Sequence, residues 1–223
     1  MSRFDQEDCV ANILATMQTS GFAVFDLNGL SVAVLLNHLK RAGHSVSQTV
    51  LAPRDQSPQS HKKTLSGIYG KDAFPYHTDY AFKPTPPKFI ILANESCYHF
   101  GRSTFISSLS ALPSDMAVLL KDSSWILRSR LGTFIVSSCQ SVKGHLLFRW
   151  DLDFLTPYND FAQRSAERIP PYLVAKKSEI SWSPRSAVMI NNWICAHARG
   201  GATSAPSDDD VRRLTRYEVW NHA

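Results

Sequence analysis

From Leu65 to the C-terminus the chain is a succession of short, strand-length segments punctuated by turn residues, and no other feature limits its fold so strongly. The candidate strands are Lys88–Asn94, Thr104–Ser107, Ser124–Arg130, Thr133–Ser138, Leu146–Arg149, Ala187–Asn191 and Leu214–Trp220. Helical spacing interrupts them twice, at Ser114–Lys121 after Pro113 and at Tyr158–Arg168 ahead of Pro170-Pro171. Regularly spaced short strands with few helices predict a mainly β fold with flanking helices, a sandwich or barrel of jelly-roll type. The 12 prolines and 10 glycines are scattered rather than clustered, which suits many turns and argues against a helical bundle.

The first 64 residues read differently. Val10, Ile13, Leu14 and Met17 lie at helical spacing within Gln6–Thr19, and Gly21 ends that pattern. Phe22–Leu27 alternates like a strand. Leu30–Arg41 is a second amphipathic helix with Leu35, Leu36 and Leu39 inward and Gly43 past its end. This predicts an α/β cap over 1–64 and a jelly-roll core over 65–223, and 223 residues suit a single domain. The polar stretch His44–Lys63 is predicted to be a long loop, and Gly200–Asp210 a second one. Long loops in compact domains are characteristically lids over a site or unstructured segments.

Composition excludes several classes. At 11% aromatic and 19% charged residues the chain is too apolar to be intrinsically disordered. The longest apolar runs, such as Phe89–Ala93 and Ala187–Ile190, fall far short of the roughly 18 residues of a membrane span, so no membrane partner is expected. The net charge of +5 forms no clustered basic stripe, so no nucleic acid is expected as partner. Cys9, Cys97, Cys139 and Cys195 form no CxxC pair, and Met1–Asp5 shows no signal peptide. The expectation is buried free thiols in a cytoplasmic protein.

The chemistry concentrates in Phe74-Pro75-Tyr76-His77-Thr78-Asp79. On a strand, His77 and Asp79 point to one face and supply two ligands of a 2-His-1-carboxylate triad, the set that holds non-haem Fe(II) with open positions. Alone, His-x-Asp is a weak signal, and a surface His–Asp pair is the plain alternative. The best third ligand is His197, which follows the apolar run Met189–Ala196 and precedes Gly200. A core histidine satisfied by a backbone carbonyl is its plain alternative. His38, His44, His61, His99, His145 and His222 are less attractive, since helix, loop, turn or terminal positions account for them. Arg212 and Arg216 share a face if Arg212–Arg216 is a strand. An inward arginine needs a buried anion, which a dicarboxylate would supply. An outward basic strand balanced by Asp208-Asp209-Asp210 is the alternative.

Taken together, these segments resemble the taurine-dioxygenase-like (TauD/TfdA) family of Fe(II)/2-oxoglutarate oxygenases. The similarity runs from about Leu65 to Trp220. It includes Ser66–Gly70, the His77-Thr78-Asp79 segment, Pro86–Phe89, Gly101–Phe105, Asn192-Trp193, His197–Gly200 and Arg212–Arg216. The resemblance implies a double-stranded β-helix, a cupin-like jelly roll. It makes His77, Asp79 and His197 the iron ligands and catalytic centre. It gives Thr104 and Arg216 the distal carboxylate of 2-oxoglutarate, and Arg212 a place near the iron-bound end. Three turns depart from the family pattern: Ser183–Ser186, Arg102-Ser103, and Ala198 after the distal histidine.

The implied cofactors are Fe(II), 2-oxoglutarate as co-substrate, and O2. The implied reaction is hydroxylation of a small polar metabolite, an amino acid or related carboxylate, with release of succinate and CO2. Family halogenases carry Gly or Ala where Asp79 stands, so a carboxylate there argues for hydroxylation, or for desaturation or cyclisation by the same cofactor chemistry. Ser66, Tyr69 and Phe74 are expected as pocket walls. Arg199 is read either as a holder of a substrate carboxylate or as a structural ion pair. Trp193 is expected in the core. The expected partner is a small-molecule substrate, and the chain a monomer or homodimer. Two other readings are a jelly roll that binds metal or ligand without turnover, and an oxygenase acting on a macromolecule.

Overall fold

The structure, a computed structural model, describes residues 3–51, 64–129, 132–201 and 214–221. The chain begins with α1 (Arg3–Ser20), β1 (Phe22–Asp26), α2 (Val32–Arg41) and β2 (His44–Leu51). Next come α3 (Leu65–Tyr69), β3 (Phe74–His77), β4 (Phe89–Asn94), β5 (Phe100–Ser108) and α4 (Ser114–Asp122). The meander β6 (Ser124–Ser129), β7 (Gly132–Ser137), β8 (Cys139–Val142), β9 (His145–Phe148) and β10 (Leu155–Pro157) leads to α5 (Asp160–Ala175). The chain closes with β11 (Ser178–Trp182), β12 (Ser186–Asn191), β13 (Cys195–Arg199) and β14 (Leu214–Asn221).

Two antiparallel sheets make the sandwich. The larger is five-stranded in the order β1-β12-β4-β14-β2, and the smaller four-stranded in the order β11-β5-β13-β3. Side chains alternate across each strand, so each sheet sorts its residues between two faces. Ile90, Leu92, Val188, Ile190 and Leu214 of the larger sheet meet Ile106, Ile180, Trp182 and Cys195 of the smaller one inside the sandwich. The intervening residues Ile91, Ala93, Ala187, Met189 and Val219 face α1 and α2 through Val10, Ile13, Met17, Leu35 and Leu39. Strands covered on both faces must be apolar at every position, which explains the unbroken runs Phe89–Ala93 and Ala187–Ile190. On the far side, Ala196 and Ala198 join Leu120, Trp125, Trp150, Ala162, Ile169 and Leu173 in a third apolar cluster. The fold is thus the expected mainly β jelly roll with flanking helices.

Three local expectations change. His44–Leu51 is not loop: its eight residues pair along β14 as an edge strand of the larger sheet, from Leu51 opposite Leu214 to His44 opposite Asn221. Its polar composition reflects one exposed edge and, as described below, hydroxyls turned inward. The rest of that predicted loop, 52–63, lies outside the described residues, as does most of the second one, from 202 onward. The second helix of the core does not stop before Pro170-Pro171; α5 runs through both to Ala175. Burial of Ala162, Ser165, Ile169 and Leu173 at intervals of three and four holds it helical despite the lost N–H groups. Thirdly, β3 ends at His77, so Asp79 lies beyond the strand, in a turn.

Among the described residues no helix is long and apolar enough to cross a membrane. The four cysteines are free; Cys195 is buried and Cys97 exposed.

Candidate metal centre

β3 and β13 are antiparallel neighbours, and His77 stands directly opposite His197 in their register. Both imidazoles turn into the sandwich, because Ala196 and Ala198 on either side of His197 face the outer cluster. The ring centroids are 4.3 Å apart. Asp79 joins them through the turn rather than by strand alternation. The buried Thr78 is fixed by Trp150: its N–H donates to the Trp150 carbonyl at 2.6 Å, and its hydroxyl accepts the Trp150 N–H at 3.1 Å. The Asp79 N–H then donates to Asn192 Oδ1 at 2.7 Å, while Asn192 Nδ2 donates to the carbonyls of Asp79 and Pro87, each at 3.0 Å. Asn192 is fully buried, so one side-chain amide clamps the backbone that carries the carboxylate.

The three side chains converge. Asp79 Oδ1 lies 4.0 Å from His77 Nε2, and Asp79 Oδ2 lies 3.6 Å from His197 Nε2. One ligand atom from each residue falls within 4.8 Å of the others. His77 Nδ1 is 3.2 Å from the Pro75 carbonyl, a contact that places the proton on Nδ1 and leaves the Nε2 lone pair facing Asp79. Burial holds the imidazole pKa of His77 below its ordinary value, and burial together with the neighbouring His77 takes that of His197 down to about 3. Burial alone would raise the Asp79 carboxyl, but Arg216, His197 and His77 beside it together outweigh this and keep it below the usual carboxylate range. At neutral pH the site therefore holds two neutral imidazoles and one carboxylate. Two imidazole nitrogens and one carboxylate oxygen, buried within 4.8 Å of one another, suit a divalent cation such as Fe(II).

Arg216 enters from the larger sheet. Its Nη1 donates to Asp79 Oδ1 at 3.1 Å, its Nε to Glu218 Oε1 at 2.8 Å, and its Nη2 to the Tyr80 hydroxyl at 3.3 Å. The arginine faces inward, with buried anions as partners. Its guanidinium lies beside Asp79, one of the three candidate ligands. The reason is local: Arg216 shares an inward face with Glu218 across the strand from the Asp79 turn. Thr104, buried on β5, accepts a hydrogen bond from Trp182 Nε1 at 3.1 Å and stands opposite Arg199 in register. Arg212 lies outside the described residues.

Of the expected pocket residues, Phe74 lies closest to the centre, its ring 5.2 Å from that of His77. Tyr69 is 6.5 Å from Phe74 and donates its hydroxyl to Asp153 Oδ1 at 3.0 Å. Burial, with the Asp153 hydrogen bond, pushes that phenol up to about 12. Ser66 lies on the same short helix, half-buried. Arg199 is structural in its contacts: Nε donates to the Asp72 carbonyl at 2.9 Å and Nη2 to the Gly70 and Asp72 carbonyls, with the guanidinium 4.4 Å above the Phe74 ring. These contacts are with main-chain oxygens rather than an ion-pair partner, and they pin the turn before β3. Trp193 is in the core, its Nε1 on the Pro86 carbonyl.

Sequence reasoning missed Glu218, Tyr80, Asp151 and Asp153, and gave Asn192 no role. Burial pushes the Asp151 carboxyl up to about 7. The alternation Arg216-x-Glu218 within one strand was the available signal for Glu218. Nothing local marks Asn192, whose partners come from other elements, or Asp151, whose shift comes from burial.

No family model matches the chain, and no curated protein matches it. Solved structures do match. An asparagine oxygenase in complex with Fe(II), (2S,3S)-3-hydroxyasparagine and succinate is 14% identical, with a TM-score of 0.60 over 99% of this chain and 92% of its own. The non-haem iron oxygenase OrfP with Fe and α-ketoglutaric acid is 17% identical, with a TM-score of 0.66 over 100% of this chain and 81% of its own. The same oxygenase with Fe, succinate and (3R,4R)-dihydroxy-L-Arg is 16% identical, with a TM-score of 0.68 over 99% and 82%. The chain is built on the fold of these oxygenases.

Proposed function

We propose that this chain is a non-haem Fe(II)/2-oxoglutarate-dependent dioxygenase that hydroxylates an amino acid or related small carboxylate. The observation that carries the reading is the convergence of His77 Nε2, Asp79 and His197 Nε2 in a buried pocket with one anionic ligand. His77, Asp79 and His197 would hold Fe(II) on one face. Bound there with 2-oxoglutarate and O2, the metal supplies oxidative decarboxylation to succinate and CO2, coupled to oxidation of a substrate C–H bond.

The protein's part is position and charge. Arg216, already at Asp79, is placed to take a carboxylate lying next to the metal. Thr104 then serves the far carboxylate of the co-substrate, and Arg212 stands near its iron-bound end on the strength of the resemblance. Phe74 and Tyr69 wall the approach to His77, and Ser66 extends that wall. Asp151 and Asp153 offer carboxylates on the same side, which suit the ammonium group of an amino acid. Hydroxyasparagine and hydroxyarginine in the complexes of the similar folds support this substrate class.

The test is anaerobic loading with Fe(II), then O2 and 2-oxoglutarate with a panel of amino acids. Succinate and a product heavier by one oxygen atom are measured together. Succinate without any modified substrate across the panel would remove the amino-acid assignment. Full activity in His77→Ala or Asp79→Ala would remove the metal assignment.

A further inference from the structure

We propose that Glu218 is a positioning residue that sets the guanidinium of Arg216 for the co-substrate, an inference that rests on the reading of Arg216 given above. Glu218 is only 1% exposed, yet it makes four side-chain hydrogen bonds. Oε1 accepts from Arg216 Nε at 2.8 Å, from Thr49 Oγ1 at 3.1 Å and from the Tyr80 hydroxyl at 3.2 Å. Oε2 accepts from Ser47 Oγ at 2.7 Å. The two hydroxyl donors come from β2, where Ser47 stands opposite Glu218 and Thr49 opposite Arg216. The edge strand therefore has a task that its polar sequence conceals: it aims two hydroxyls at one buried carboxylate.

Two consequences follow for Arg216. An arginine side chain has many rotamers, and a bond to Nε fixes the plane of its fork. With Nε held by Glu218 and the ring of Tyr80 alongside at 5.4 Å, the Nη1 and Nη2 edge is left facing the metal pocket. The second consequence is electrostatic. Arg216 Nη1 already donates to Asp79 Oδ1 with Glu218 in place, so that contact does not depend on Glu218. Glu218 gives the buried cation an anion of its own at Nε, which leaves the outer edge of the guanidinium to an incoming carboxylate. Glu218 touches none of the three ligands, and its effect passes through Arg216.

The experiment titrates 2-oxoglutarate anaerobically into Fe(II)-loaded protein, following the visible charge-transfer absorption of a chelated 2-oxo acid. Mn(II) affinity is measured in parallel without co-substrate. The expected result for Glu218→Ala is a co-substrate Kd raised about 10- to 100-fold, the usual scale for loss of a residue that orients a ligating group. Mn(II) affinity should change by less than about threefold, and Glu218→Gln, which keeps an acceptor for Nε, should recover to within about threefold of wild type. If Glu218→Ala does not fold, Ser47→Ala/Thr49→Val decides, with an expected rise of about threefold or more confined to the co-substrate. Unchanged co-substrate affinity, an equal loss of Mn(II) affinity, or a Glu218→Gln no better than Glu218→Ala each overturns the proposal. Wild-type protein that binds Mn(II) but gives no signal with 2-oxoglutarate would instead overturn the dioxygenase reading, and this inference with it.

Discussion

Tyr80 sits in the left-handed region, with φ at +58°, immediately after the carboxylate of the metal centre. For a residue with a β-carbon this conformation costs about 1–2 kcal/mol, and it persists where the surroundings over-determine it. Here they do. Asn192 grips Asp79 through both its N–H and its carbonyl, and the Tyr80 hydroxyl is held by Glu218. The Asp79 carboxylate is therefore aimed by the backbone on both sides of it. Replacing Asn192 with Ala should leave the ligands intact but weaken Mn(II) binding about 10- to 100-fold, measured by titration of the metal-free protein. An unchanged affinity would mean that the turn keeps its shape without the clamp.

Asp151 behaves oppositely to Asp79, because burial raises its carboxyl and, among the described residues, no cation offsets this as Arg216 helps to do at Asp79. Its folded pKa, about 7, lies well above that of an unfolded aspartate. The folded state then binds this proton more tightly than the unfolded state does. The carboxyl is harmless below about pH 4 and increasingly destabilising as pH rises to about 7, beyond which its cost levels off. Asp151→Asn should therefore gain on wild type between pH 5 and pH 8, by on the order of 2 kcal/mol or more, in urea unfolding of the metal-free protein. A gain that does not grow with pH would exclude this origin. That His77, Asp79 and His197 come together was legible in the sequence, because a candidate ligand set is marked by residue type and spacing. Asn192 and Glu218 were not, since each is defined by partners that only the fold brings near, and Asp151 was not, since burial sets its character.

At the level of elements, legibility followed the number of covered faces. β4 and β12 are apolar throughout because helices lie on one face and the smaller sheet on the other, so they stand out in the sequence. β2 carries Ser45, Ser47, Gln48 and Thr49, and reads as loop until its hydrogen-bonding to β14 is seen. α5 shows the reverse error, a local breaker overruled by packing. In a helix interior, proline removes a hydrogen bond and clashes with the carbonyl four residues earlier, costing about 3 kcal/mol. Proline also restricts the unfolded chain, which returns only about 0.4–1 kcal/mol. The exposed Pro171 is thus a net liability. Pro171→Ala restores a donor towards the Glu167 carbonyl and should stabilise the protein by about 1–2 kcal/mol. The melting temperature should rise roughly 2–4 °C per kcal/mol at this chain length. A fall on calorimetry would show that α5 bends at Pro171 to fit its neighbours.

Across the whole molecule, the centre ties together parts that are distant in sequence. His77 and His197 come from adjacent strands of the smaller sheet, Asp79 from a turn held by Asn192, and Arg216 with Glu218 from the larger sheet. A metal that bridges these parts binds the folded chain and not the unfolded one, so occupancy must appear as stability. At a free metal concentration about 100 times Kd the gain is about 2.7 kcal/mol, which converts to roughly 5–10 °C in melting temperature. The two ligands should also act in order. Mn(II) alone should raise the melting temperature, and 2-oxoglutarate should add a further increment only when Mn(II) is present, because its chelating end needs the metal. In His197→Ala both increments should vanish, whatever that substitution does to the metal-free protein. An equal response to 2-oxoglutarate with and without Mn(II) would mean that the dicarboxylate binds elsewhere on the molecule. A metal response retained in His197→Ala would mean that the stabilising ion does not bind at the seam between β3 and β13.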